Sequence, residues 1–193
     1  MKKTALLLLV ALVLGWAGCS SDSTVEVKNL RLEMKENPLG INVTQPRFSW
    51  QIASGKPDLK QTAYQIQVAA SPEQLESGDG LLWDSGVVRS DESVLVPYAG
   101  KALESGKPYY WRVKLTTNQG DTPWSDAGSW SMALLDDSEW KATWIGEDSL
   151  SNPGEEVGVA GGNNKTRLAA RYLRKEFTTD RAVERAVLYI SGL

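Results

Sequence analysis

From residue 25 to residue 132 apolar side chains recur at every second position in short bursts, each closed by glycine, proline, asparagine or aspartate. A period of two is the mark of a strand with one buried face. Residues 46–52 set Phe48, Trp50 and Ile52 on one side and polar groups on the other, as a half-buried antiparallel strand requires. Residues 61–68 repeat this with Tyr64, Ile66 and Val68 facing in, and residues 82–86 and 93–97 add two shorter segments. The longest burst, 109–116, points Tyr109, Trp111, Val113 and Leu115 inward; after a turn at 118–121 the chain returns as a last strand at 129–132. Near the start, residues 25–27 and 30–32 alternate in opposite phase. A strand changes phase only where it bulges, which predicts a kink at Lys28 and Asn29. Ser71 before Pro72 predicts a capped helical turn. No helical periodicity is long enough to compete, so the pattern predicts an all-β sandwich.

Tyr109 sharpens this picture. A tyrosine at the start of a long strand, after Leu103-Glu104-Ser105-Gly106-Lys107-Pro108, resembles the tyrosine corner of fibronectin type III domains, whose phenol bonds back to upstream backbone. Residues 118–120 and Trp124-Ser125 likewise resemble that fold's penultimate turn and final strand. Trp50, Trp111 and Trp130 fall at inward positions and are assigned to the core rather than to a sugar-stacking platform. Trp83, Trp124, Trp140 and Trp144 are assigned to packing or interdomain contact. Trp140 and Trp144 would share one face if the connector at 136–140 were helical throughout.

Past residue 135 the pattern changes. Asp136 to Trp140 predict one helical turn with an aspartate or serine cap. Residues 147–166 hold many glycines and asparagines and too few large apolar residues for a core, which predicts a long loop. Residues 171–177 and 185–190 read as strands. Since so few strands cannot bury a core, the expectation is an incomplete sheet with exposed edges. The predicted organisation is a fibronectin type III-like (immunoglobulin-like) β-sandwich at 25–135, followed at 136–193 by the truncated start of a second β-sandwich.

The first residues read as an address. Lys2 and Lys3 precede an uncharged apolar run at 5–14, which at about 1.5 Å per residue is too short to span a roughly 30 Å hydrocarbon core. Trp16-Ala17-Gly18-Cys19 resembles a bacterial lipobox, with Trp16 where an aliphatic residue is usual. The expectation is a lipoprotein signal at 1–18, lipidation of Cys19, a polar tether at 19–24, and an exported protein held at a membrane by its acyl chains.

Composition removes whole classes of chemistry. The 193 residues contain no histidine and one cysteine. That excludes a Ser-His-Asp triad, histidine-ligated zinc, a thiolate metal cluster and an internal disulfide. A net charge of −3 gives no electrostatic footprint for nucleic acid. No cofactor or metal is expected. The adjacent carboxylates Asp136/Asp137 and Glu155/Glu156 point to opposite faces if extended and read as solvated loop charges. Residues 161–166 hint at a phosphate loop but have asparagine where the glycine before Lys165-Thr166 should be. The sequons at Asn42 and Asn164 have no ready meaning in a bacterial lipoprotein.

Several motifs come in a familiar order: Glu36-Asn37-Pro38-Leu39-Gly40-Ile41, Gln45-Pro46-Arg47-Phe48-Ser49-Trp50, Leu82-Trp83-Asp84-Ser85-Gly86, Tyr109-Tyr110-Trp111-Arg112-Val113 and Trp140-Lys141-Ala142-Thr143-Trp144-Ile145-Gly146. Together they resemble the amino-terminal region of bacterial α-L-rhamnosidases of glycoside hydrolase family 78. The tail at 171–177 and 188–193 is similar to the opening of that family's next β-sandwich. The resemblance implies removal of terminal α-L-rhamnose with inversion, by two carboxylates about 6.5–9.5 Å apart on a downstream (α/α)6 barrel. Nothing here corresponds to that barrel, so no catalytic residue is carried over. The expected partners are that downstream domain, rhamnose-containing glycans through it, and a membrane through the anchor. The alternative is a non-enzymatic surface lipoprotein whose fibronectin-like domain binds a glycan or protein.

Overall fold

The computed structural model describes residues 25–143, 173–183 and 185–190. The chain divides into two compact units, Met1–Lys141 and Ala142–Leu193. In the first, the elements run β1 (Glu26–Leu32), β2 (Arg47–Ala53), β3 (Gln61–Ala69), α1 (Pro72–Ser77), β4 (Trp83–Asp84), β5 (Val96–Pro97), β6 (Pro108–Thr117), β7 (Gly120–Asp121) and β8 (Gly128–Ser131), then a 3-10 turn at Asp137–Glu139. They form two antiparallel sheets. One has the order β1-β2-β5; in the other β4, β3 and β6 lie side by side, with β7 and β8 both along the far edge of β6.

Each sheet turns its apolar face to the other. Every second residue of β6, from Tyr109 to Thr117, is buried, and those between are half-buried. Phe48 on β2 meets Trp111 on β6 with ring centroids 4.6 Å apart, and Trp130 on β8 lies 5.8 Å away edge-on. Trp50, Trp111 and Trp130 are all within 2 % of complete burial. The Trp50 indole N–H needs an acceptor in that dry layer, and Gln61 supplies one at 3.0 Å. Gln61 is itself buried and donates its amide to the carbonyls of Ser90 and Glu92.

The phase change in β1 is a bulge. Its pairing with β2 slips between Lys28 and Arg31, Asn29 adopts φ +52, and Val27, Leu30 and Leu32 all turn toward the core. Leu32 and Lys35 exchange backbone hydrogen bonds around Glu33 and Met34, at φ +49 and +63. Neither residue type favours that region. The Arg47 guanidinium and backbone N–H both donate to the Glu33 carboxylate, which holds the turn and lowers the Glu33 pKa, chiefly through the side-chain hydrogen bond. Helix α1 begins as expected: Ser71 Oγ accepts from Gln74 N, Pro72 opens the helix, and Gly78 closes it at φ +78.

Four sequence expectations need correction. The segment 93–97 shrinks to Val96–Pro97, because Leu95 takes φ +57 and its N–H leaves the ladder for Ser49 Oγ. Trp124 and Ser125 are not in a strand. Pro123 has no N–H to give a ladder, and between β7 and β8 the hydroxyls of Thr122 and Ser125 accept from Leu115 N and Val113 N of β6. The 3-10 turn ends at Glu139 and Trp140 is extended (φ −73, ψ 106), so no common helical face with Trp144 forms; Trp144 lies outside the described residues. In the second unit, the strands expected at 171–177 and 185–190 do not form in the described stretches 173–183 and 185–190. A strand exists by hydrogen bonding to a neighbour. No strand ladder runs through these stretches among the described residues, and they leave Phe177, Leu188 and Ile190 exposed. The expected leader, Cys19, the tether, Glu155/Glu156 and the loop at 147–166 also lie outside the described residues.

Candidate functional site

The residues singled out in the sequence do not converge on one surface. Trp50, Trp111 and Trp130 lie between the sheets and offer no ring face to solvent. Tyr109 is buried as well, with its Oη accepting from Glu104 N at 2.7 Å. Burial raises the Tyr109 pKa, and the Glu104 hydrogen bond partly opposes the rise. This contact closes the Leu103–Pro108 approach onto the head of β6. Substituting Tyr109→Phe is expected to cost about 1–2 kcal/mol in chemical denaturation, since Glu104 N–H loses its partner at a partly wet position. An unchanged midpoint would remove the phenol from any structural role.

The carboxylates at the exit of the sandwich serve as caps. Asp136 accepts from Ser138 N at 2.8 Å, and Glu139 Oε2 takes the Ser105 hydroxyl (2.6 Å) and the N–H groups of Leu135 and Asp136. The hydrogen bond from Ser138 lowers the Asp136 pKa, and that from Ser105 lowers the Glu139 pKa most. A general acid needs its pKa raised, so both are displaced in the wrong direction for that role.

The most organised polar array is one the sequence reading passed over. On the outer face of the larger sheet, Asp84 of β4 accepts from Gln65 and Gln67 of β3, both at 2.8 Å, and from Gly86 N. Gln67 Oε1 in turn accepts from Arg112 Nε (3.0 Å) and Nη2 (2.8 Å) of β6. The Arg112 guanidinium sits 4.5 Å over the Trp124 ring, a cation–π contact. Burial pushes the Asp84 pKa up, but the Gln67, Gln65 and Gly86 hydrogen bonds and the Arg112 charge outweigh it and leave it lowered. Burial likewise lowers the Arg112 pKa, against the charges of Glu76 and Asp84. The available signal was outward polar residues at alternate positions on strands that pair, Gln67 opposite both Asp84 and Arg112.

This braid holds one carboxylate with both oxygens engaged, so it has no second group to act as base or acid. The adjoining depression between Tyr64, Gln65, Val87, Lys114, Thr116 and Asp121 is about 40 Å³. That is room for roughly one water, against the several hundred Å³ of a small-molecule site. Among the described residues no group of histidine, cysteine, aspartate or glutamate could hold a metal ion. What the arrangement does is brace β3, β4 and β6 into one stiff outer wall.

Residues 27–136 match the family model for the Rha78A-like, N-terminal immunoglobulin domain. The chain belongs to this family. Its domain carries the immunoglobulin-like sandwich described above, and the match spans the elements from β1 to the cap at Asp136. An α-L-rhamnosidase of Formosa agariphila is 38% identical over 178 residues, which is 90% of this chain but 18% of that protein. One from an Alteromonas species is 36% identical over 184 residues, 90% of this chain and 19% of that protein. The crystal structure of Streptomyces avermitilis α-L-rhamnosidase in complex with L-rhamnose is similar over 65% of this chain and 12% of its own, with 39% identity and a TM-score of 0.62. The chain therefore spans about one fifth or less of the relatives it matches. It is similar to their immunoglobulin-like part.

Proposed function

We propose that this Rha78A-like domain is the non-catalytic amino-terminal module of an exported, lipid-anchored α-L-rhamnosidase. The observation that carries the reading is the mismatch of coverage: nine tenths of this chain aligns with less than a fifth of each of two rhamnosidases. The physical content agrees. The sandwich has a packed aromatic core, a braced outer wall and capped exits, and the depression beside that wall is only about 40 Å³. Such a body positions other parts of a protein. Hydrolysis of terminal rhamnose would belong to a downstream catalytic domain, the partner proposed for this module, which would also carry the contact with glycan. Anchoring rests on the basic start, the short apolar run and the lone cysteine at position 19, whose acylation would hold the protein at a membrane.

The test uses the chain and its parent together. Residues 20–193 are expected to release no rhamnose from an aryl α-L-rhamnoside, while the whole parent releases it and sediments with membranes. Cys19→Ala in the parent should move that activity to the soluble fraction. Turnover by residues 20–193 alone would overturn the assignment of this module as non-catalytic, and membrane retention of the Cys19→Ala protein would overturn the anchor.

A further inference from the structure

We infer that Met34 is a modification site, converted to its sulfoxide by peroxide-type oxidants, and that the Ser49 hydroxyl is placed to receive the new oxygen. Ser49 lies on the outward side of β2, between Arg47 and Gln51, yet it is only 7 % exposed. A hydroxyl at that depth needs an acceptor for its proton. Its oxygen accepts from Leu95 N at 2.9 Å, and its O–H donates to Met34 Sδ at 3.9 Å. Among the described residues that sulfur is its only acceptor. A thioether is a weak one, so the buried donor is poorly served.

Met34 itself is on display. It is 52 % exposed, at the second central position of the turn in which Leu32 and Lys35 exchange backbone hydrogen bonds. Both central residues, Glu33 and Met34, have positive φ, a geometry that favours glycine at the second position. Methionine there carries backbone strain and lays its thioether against the Ser49 hydroxyl. The Arg47 bonds to Glu33 fix the neighbouring residue, so the sulfur is presented by an ordered turn. Met132 is the contrast. It is 1 % exposed, and its sulfur accepts from Trp130 Nε1 at 3.3 Å. One thioether of the sandwich is open to a diffusing oxidant; the other is shut in the core.

The step is a two-electron oxygen transfer. A sulfur lone pair attacks one oxygen of hydrogen peroxide, the O–O bond breaks as the S–O bond forms, and water leaves. The sulfoxide oxygen is a strong acceptor where the thioether was a weak one. Rotation about the Met34 side-chain bonds brings it within a normal O–H···O distance of Ser49 Oγ, about 2.7 Å. Oxidised methionine usually loosens the apolar packing around it. Here the new polarity meets a waiting donor, and a stronger Ser49 bond also polarises its contact with Leu95 N. The modification thus firms the joint between the turn after β1 and Leu95, itself at φ +57. A thiol-dependent reductase would reverse it, the oxygen leaving as water while two thiols become a disulfide.

In the experiment the 193-residue chain is exposed to hydrogen peroxide, sampled with time, digested and weighed by mass spectrometry. Met34 is expected to gain one oxygen roughly tenfold or more faster than Met132. Equal rates would overturn the site. At a dose that modifies Met34 but spares Met132, circular dichroism melts compare oxidised with untreated protein. The shift on oxidation should be about 2–5 °C more favourable in the wild type than in Ser49→Ala, which has no donor for the sulfoxide. Equal shifts would overturn the part given to Ser49. Met34→Leu should not respond to the same dose, and a response as large as the wild type's would move the effect to another group. Met34→Gln sets an amide oxygen where the sulfoxide oxygen would lie and needs no oxidant. It should melt above Met34→Leu; a glutamine variant melting at or below the leucine one would overturn the receiving role even if Ser49→Ala fails to fold.

Discussion

Trp111→Ala is expected to destabilise the sandwich by about 3–5 kcal/mol, the range for deleting a large buried aromatic. Trp111 is 1 % exposed at the centre of β6, with the Phe48 ring of the facing sheet 4.6 Å away. Alanine there removes the body that joins the sheets and leaves a void that β6 cannot close, because its backbone is held by β3 on one side and β8 on the other. Against a total of about 5–15 kcal/mol for a domain of this size, a loss of this magnitude could unfold the protein at moderate temperature. Urea denaturation followed by far-ultraviolet circular dichroism measures it. A shift below about 1 kcal/mol would mean that Trp111 is not the junction between the sheets.

Gly128→Ala is expected to cost about 1–3 kcal/mol for the opposite reason, overpacking. Gly128 is buried on β8 directly opposite Trp111, and a methyl group built on it would lie 2.5 Å from Trp111 Nε1. Neither side has room to give, since the indole is wedged against Phe48 and the β8 backbone is in register with β6. The two substitutions share one contact, so they should not add. With Trp111 already alanine, the added methyl group meets a cavity rather than a ring, and Gly128→Ala should become nearly neutral or favourable. Full additivity in the double-mutant cycle would disprove the steric conflict.

Much of the sandwich was legible because side-chain period is a local property. Phe48, Trp50, Ile66, Val68, Trp111 and Leu115 announced their faces through alternation alone, and the phase slip between Val27 and Leu30 marked the β1 bulge before any partner strand was known. The helical turn at Ser71-Pro72 and the cap at Asp136 were equally local, each set by the neighbouring backbone N–H groups. The resemblance carried by residues 36–50, 82–86 and 109–113 pointed to the same family that the match over 27–136 establishes.

What escaped the sequence depended on partners distant along the chain. Leu95 alternates well enough for a strand, yet its N–H is claimed by Ser49 Oγ, 46 residues earlier. Trp124 looks like a strand residue, but Pro123 and the hydroxyls of Thr122 and Ser125 take over the bonding to β6, and its ring lies beneath Arg112. The array of Gln65, Gln67, Asp84 and Arg112 has no motif, because three separate strands must pair before its members meet. The described stretches 173–183 and 185–190 show the converse: apolar alternation with no ladder beside it among the described residues does not make a strand.

The sequence by itself determined a β-sandwich with an aromatic core and, within these 193 residues, a complete lack of histidine, because periodicity and composition need no knowledge of contacts. Only the tertiary structure decided which polar side chains brace the outer wall, which segments complete a ladder, and that the buried Ser49 hydroxyl meets the Met34 sulfur. Those outcomes are fixed by hydrogen-bond partners and steric neighbours many residues away, and such partners are chosen only when the two sheets close on each other.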